Sequence, residues 1–236
     1  MGFNCGIIGL PNVGKSTLFN ALTAAGAEVA NYPFCTINPN TGCVPVPDER
    51  LERIAQIIRP PKVTYTTMEF VDIAGLVRGA SKGEGLGNKF LGHIREVDAI
   101  VHIVRCFENP DIAHIYGPIH PVRDIEIVNT ELILADLETL ERRIVKVEKA
   151  ARSGDKESRR VLDFCSRMKS ALSRGVAARN VPRAEQETDI ARDLHLLTDK
   201  KVLYIANVSE SVLKEDGAYI RQVEEKCQSL GLGRVV

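Results

Sequence analysis

The octapeptide Gly9-Leu10-Pro11-Asn12-Val13-Gly14-Lys15-Ser16 fits the pattern G-x-x-x-x-G-K-[ST] and follows an apolar run, Phe3 to Ile8, that predicts a buried strand. Strand, glycine loop and helix in that order build an anion cradle. The glycines let consecutive backbone N–H groups face one phosphate, the lysine neutralises the β- and γ-oxygens, and the serine hydroxyl is a ligand for Mg²⁺. The helix predicted from Ser16 to about Ala25 adds its positive N-terminal end. Asn12, Val13, Gly14, Lys15, Ser16 and Thr17 are therefore the candidate nucleotide-binding residues of this loop.

Kinases, ATPases and switch NTPases share such loops, so downstream residues must separate them. The strand-like run Met68 to Val71 ends in Asp72-Ile73-Ala74-Gly75, a D-x-x-G motif. Its aspartate holds Mg²⁺ through water and its glycine N–H meets the γ-phosphate, which couples the loop to nucleotide state. Lys15 and Gly75 are accordingly candidate catalytic residues, and Ser16, Thr36 and Asp72 candidate metal ligands. Thr36 ends the loop-like stretch Asn31-Tyr32-Pro33-Phe34-Cys35-Thr36, where a first switch belongs, with Thr41 as the alternative ligand. The glycines of Ser81-Lys82-Gly83-Glu84-Gly85-Leu86-Gly87-Asn88 mark a second switch before a helix near Lys89 to Val97.

Two departures from the usual GTPase pattern matter. Leu76 follows Gly75 where many GTPases carry a water-orienting glutamine, and a leucine has neither donor nor acceptor. A substitute has to come from elsewhere. His114, beyond the predicted strand Ala99 to Val104, is the candidate side chain because imidazole exchanges a proton near neutral pH; His102 lies within that strand and His93 on a helix. Backbone groups, a partner or K⁺ held by Asn12 are the alternatives. The second departure is Asn207-Val208-Ser209-Glu210 at the end of the strand Val202 to Ala206, where guanine readers carry N-K-x-D. With Glu for Asp and Val for Lys, the preference for guanine weakens, while Asn207 still serves adenine. Asn207, Val208 and Glu210 complete the candidate nucleotide-binding set.

The chain has 236 residues, 44% of them hydrophobic and 26% charged, enough for one sizeable core. Lys plus Arg balance Asp plus Glu at 31 each, so no global field points to nucleic acid or a membrane, which leaves only local charge asymmetry to be read. Six cysteines form no C-x-x-C pair, which predicts reduced thiols and no structural zinc. No signal-type or membrane-length apolar run occurs, and a cytoplasmic location is expected.

Together, residues 9 to 16, 31 to 36, 72 to 88 and 207 to 210 resemble the YchF branch of Obg-related NTPases across essentially the whole chain. The resemblance implies an α/β fold: a P-loop NTPase G domain with a mixed, mostly parallel sheet and an inserted helical coiled-coil hairpin. It also implies an ATPase that carries a hydrophobic residue in place of the catalytic glutamine, and ribosome association. Family members continue into a last G-domain strand and a C-terminal TGS domain, so a truncated product or fragment is expected here. The predicted division is residues 1–123 and 202–236 for the G domain, with the final strand and C-terminal domain missing, and 124–201 for the insertion.

Apolar residues of that insertion repeat at helical spacing, Ile133, Leu137, Leu140, Ile144, Val147 and Ala151, then Val161, Cys165, Met168 and Leu172. Ser153-Gly154-Asp155 stops one helix and caps the next, which predicts an antiparallel hairpin, followed by a short helix near Glu185 to Thr198. Residues 141 to 180 hold twelve Lys or Arg against five acids, a net of +7. With little aromatic content, such an arm suits the phosphate backbone of folded RNA better than single-stranded bases. Together with the ATPase activity and ribosome association that the resemblance implies, the expected partners are ATP/ADP and the ribosome or ribosomal RNA, and neither DNA nor membrane. The competing functional class is a small-molecule P-loop phosphotransferase, for which no lid-like arginine cluster is evident.

Overall fold

Four of the predicted apolar runs become parallel strands of one sheet. They are β1 (Phe3–Ile8), β3 (Thr67–Asp72), β4 (Ala99–Arg105) and β5 (Lys201–Asn207), and β2 (Thr41–Pro45) joins antiparallel at the β3 edge. The order is β2-β3-β1-β4-β5. The computed structural model describes residues 2–25, 40–73, 75–81, 86–210, 217–231 and 235–236. Beyond β5, Val235 pairs in parallel with Tyr204, so a further edge pairing begins there.

The central strands read as nearly unbroken apolar runs because helices cover both faces. Ile7, Ile8, Ile100 and Ile103 are buried, as are Leu76, Leu91 and Ile94 packed against them. Residues Ile7 and Asp72 are register partners, as are Arg105 and Asn207. Parallel pairing thus gathers the loop after β1, Asp72 and Asn207 at one carboxyl edge, with β1 at the centre of the sheet, the usual place for a ligand in such folds.

Helices α1 (Lys15–Ala25), α3 (Leu86–Glu96) and α7 (Ala218–Ser229) pack around the sheet, while α2 (Glu49–Ile58) has no buried residue. Helix α4 (Pro121–Arg152) has Pro121 in its first turn, and the His120 Nδ1 accepts from Arg123 N at 3.1 Å. Its N-terminal part lies on the sheet through Ile127, Val128, Leu132 and Ala135. Its C-terminal part leaves the sheet and pairs with α5 (Lys156–Leu172) around Leu140, Val161, Phe164, Cys165, Met168 and Leu172. Gly154, at φ 96°, turns the chain, and the Asp155 carboxylate caps α5 by accepting from Ser158 N at 2.9 Å.

The helix expected near Glu185 to Thr198 is shorter than that span. A 3₁₀ turn at Glu185–Glu187 leads into α6 (Thr188–Leu194), which stops where His195 turns left-handed at φ 47°. A second 3₁₀ turn, Leu197–Asp199, is held instead by Asp136 of α4, whose carboxylate accepts from Leu197 N, Thr198 N and Thr198 Oγ1 at 2.7 to 2.8 Å. The thiols of Cys5, Cys106, Cys165 and Cys227 are free and buried, whereas Cys43 is disulfide-bonded, against the expectation of reduced thiols throughout.

Candidate nucleotide site

The loop after β1 has a shape only certain residues accept. At Gly9, φ is 150°, and a Cβ would lie 2.5 Å from the Ile103 carbonyl oxygen of β4. Asn12 at φ 61° and Gly14 at φ 96° reverse the chain, and a Cβ on Gly14 would meet Asn207 Nδ2 at 2.4 Å. The Lys15 ammonium is folded into this curl and donates to the Leu10 carbonyl at 2.7 Å. Burial lowers its pKa from the ordinary lysine value, opposed by the negative charge of Asp72. Helix α1 begins at this lysine and has no acidic residue of its own in its first turn. Thr17 is exposed beside Ser16 on the same turn.

Asp72 closes the other side. Its Oδ2 accepts from Ser16 Oγ at 2.7 Å, while Oδ1 is buried without a hydrogen-bond partner. A hydroxyl and an orphaned carboxylate oxygen at the mouth of a phosphate cradle are the hard donors that Mg²⁺ takes. Thr36 lies outside the described residues. Thr41, the alternative, opens β2 in register with Val71, one residue before Asp72.

Gly75 runs against the phosphate loop: a Cβ there would stand 2.8 Å from the Pro11 nitrogen, so glycine alone permits the approach. The next residue ties the two loops together, with Leu76 N donating to Gly9 O at 3.1 Å. Its side chain is fully buried in the core, which accounts for a leucine at a position where other GTPases expose glutamine.

His114 is brought near the same loop, since Asn12 Nδ2 donates to Ala113 O at 3.1 Å. Its ring, however, is buried against α4. Nε2 stands 2.9 Å from Asp124 Oδ2, and Nδ1 accepts from Tyr116 N at 3.2 Å. A nitrogen that accepts carries no proton, so these bonds assign the proton to Nε2, donated to Asp124. Both nitrogens are engaged in this conformation.

At the base end, Asn207 Nδ2 donates to Val13 O at 2.8 Å, fixing the strand end to the phosphate loop. Val208 is half-buried among Tyr204, Val223 and Val235, and Glu210 is exposed. Sequence reasoning missed Asp124 and Glu131, buried acids of α4 that face these loops. Their signal was available: they lie seven residues apart, on the face that carries Ile127 and Val128, and an acid within an apolar stripe needs a partner.

The profile of the family described as "50S ribosome-binding GTPase" matches residues 4–149. The chain is 55% identical over 231 residues to the ribosome-binding ATPase YchF of Haemophilus ducreyi, covering 98% of this chain and 63% of that protein. It is 55% identical over 210 residues to the Bacillus subtilis protein of the same name, covering 89% of this chain and 57% of that one. The chain thus spans less than two thirds of the length of these relatives. The structure of the Schizosaccharomyces pombe YchF GTPase superposes with a TM-score of 0.86 at 34% identity, covering 100% of this chain and 64% of that chain. The chain belongs to the GTPase family described as 50S ribosome-binding, and within it to the YchF branch.

Proposed function

We propose that this chain binds and slowly hydrolyses ATP with Mg²⁺, as the nucleotide-responsive part of a switch that associates with the ribosome. The observation that carries the reading is the convergence of Lys15, Ser16, Asp72 and Gly75 on one loop at the carboxyl edge of β1. Ser16 and Asp72, with Thr36 from the first switch, would hold Mg²⁺, which when bound neutralises charge on the β- and γ-oxygens. Lys15 leaves the Leu10 carbonyl to meet the phosphates, and the Gly75 N–H meets the γ-phosphate as water attacks in line.

Adenine is favoured over guanine because Val208 cannot act as the lysine of N-K-x-D and Glu210 is longer than its aspartate. Asn207, with one amide hydrogen on Val13 O, keeps its carbonyl for the adenine amino group. Leu76, buried in the core, leaves water positioning to another group. We assign that role to His114 once it is released from Asp124; K⁺ held by the Asn12 side-chain carbonyl is the alternative.

The arm of this switch is the α4–α5 hairpin from about Leu140 onward with α6, not the whole of residues 124–201, because Ile127, Val128, Leu132, Ala135 and Leu197 belong to the core of the sheet. The printed names of the Haemophilus and Bacillus relatives support a ribosomal partner and an ATP substrate. A cytoplasmic site follows from that partner. Among the described residues no helix is long and apolar enough to cross a membrane. Competition binding of ATP, GTP and their diphosphates with Mg²⁺, together with phosphate release without an acceptor, tests the reading. A strong preference for GTP, or phosphate release only when a small acceptor is added, would overturn it.

A further inference from the structure

The carboxylate of Glu131 is buried in α4 yet belongs to no ion pair among the described residues. It is filled instead by the loop that follows Gly75. Oε1 accepts from Gly79 N at 2.8 Å, and Oε2 from Ser81 N at 2.9 Å and Ser81 Oγ at 2.8 Å. The rest of this loop is equally fixed. Leu76 N donates to Gly9 O, Arg78 N to the Tyr116 hydroxyl at 2.9 Å, and Ala80 N to Val77 O, while Leu76 and Ala80 bury their side chains in the core. Gly79, at φ 84°, supplies the turn that aims these donors at one carboxylate.

We infer that Glu131 is a positioning residue for the γ-phosphate contact: helix α4, through this carboxylate, holds the loop of residues 76–81 so that the Gly75 N–H stays at the phosphate loop. The physical reason is pre-organisation. A loop anchored at Gly9 on one side and at Glu131 on the other loses little freedom when the γ-phosphate arrives; one anchored only at Gly9 loses more. Bonds from backbone N–H groups to a buried carboxylate are charge-assisted, so this anchor is strong, and no neutral side chain of the same size offers two acceptor oxygens. Because α4 continues into the α4–α5 hairpin, the same residue joins the arm to the site. The inference rests on the nucleotide reading above, and only a ligand with a γ-phosphate should feel it.

The test compares wild type with Glu131→Gln and Ser81→Ala, and uses Asp136→Asn as a control that alters a different α4 carboxylate. Without nucleotide, amide exchange over residues 76–81 should be at least about tenfold faster in Glu131→Gln than in wild type, since local opening sets protection. ATP affinity and kcat should each fall by about tenfold, with ADP affinity within about twofold, and Ser81→Ala should show a smaller loss of the same kind. Asp136→Asn should leave the ATP-to-ADP affinity ratio unchanged. Equal exchange in wild type and Glu131→Gln, or equal losses for ATP and ADP, would overturn the role of Glu131. A wild-type chain that binds neither nucleotide while Glu131→Gln still loosens residues 76–81 would overturn the nucleotide reading and keep the anchor.

Discussion

His114 Nε2 and Asp124 Oδ2 meet at 2.9 Å in a buried pair that joins the loop after β4 to the first turn of α4. Arg123 shares the same carboxylate through Oδ1, at 3.0 Å from Nη2. The imidazole is thereby held one residue from Ala113, which the phosphate loop grips through Asn12.

His114→Ala should lower single-turnover hydrolysis by about 10²-fold, the usual scale of a general acid–base group, with ATP affinity within about twofold. Wild-type turnover in this variant would leave backbone groups or a cation as the water-positioning element. Replacing K⁺ by Na⁺ then decides between those two.

Much of this was legible in the residues. The phosphate loop, the D-x-x-G strand end and the strand before Asn207 were readable because each needs particular residue types at fixed spacing, and β4 and β5 fell within a residue of their apolar runs. The arm was legible because its apolar period is long. What could not be read were contacts across the fold. Asp136 ends the 185–198 segment as a 3₁₀ turn from 61 residues away, and nothing local to Leu197 announces it. His114 looked like a free loop imidazole because its partner lies ten residues on, hidden in a helix start.

Lys15→Ala should abolish ATP binding at micromolar nucleotide without lowering the melting temperature. Lys15 is 7% exposed and its ammonium is held by one carbonyl, so removing it relieves a desolvated charge. Ser16→Ala should instead lose the Mg²⁺ dependence of binding, since it removes a metal ligand and leaves the cradle. Unchanged nucleotide affinity and turnover in both variants would dismiss the loop as the phosphate site.

The base preference is open to a gain-of-function test. Val208→Lys with Glu210→Asp rebuilds N-K-x-D on a strand end already fixed to Val13 by Asn207. The ATP-to-GTP affinity ratio should move toward GTP by at least about tenfold, because correctly placed acceptors discriminate strongly. An unchanged ratio would mean that other residues read the base.

Asp136 gives a pH signature. Burial raises its carboxyl from 3.8 to about 6, only partly offset by the bonds from Thr198 and Leu197. The folded state therefore holds the proton more tightly than the unfolded chain. The stability this contributes is full below about pH 3.8 and is lost as pH rises through about 6, to a limit of about 3 kcal/mol. Melting curves from pH 4 to 7 should show wild type losing ground to Asp136→Asn as pH rises; a constant difference would contradict the shift.

The arm prediction turns on exposed charge. Arg142 and Arg160 are 61% and 45% exposed and each has an acid within its own helix, Glu138 and Glu157, while Arg159 is also exposed. Surface pairs of this kind are weak and do not hold the guanidinium groups away from a phosphate backbone. Reversing Arg142, Arg143, Arg159 and Arg160 to Glu should reduce ribosome co-sedimentation by at least about tenfold at 0.1 M salt, with ATP affinity unchanged. Wild-type association should weaken with added salt because phosphate contacts release condensed counterions, and the variant's slope should be shallower. Equal sedimentation of the two proteins at every salt concentration would reduce the arm to a solvated spacer and move the ribosomal contact elsewhere on the chain.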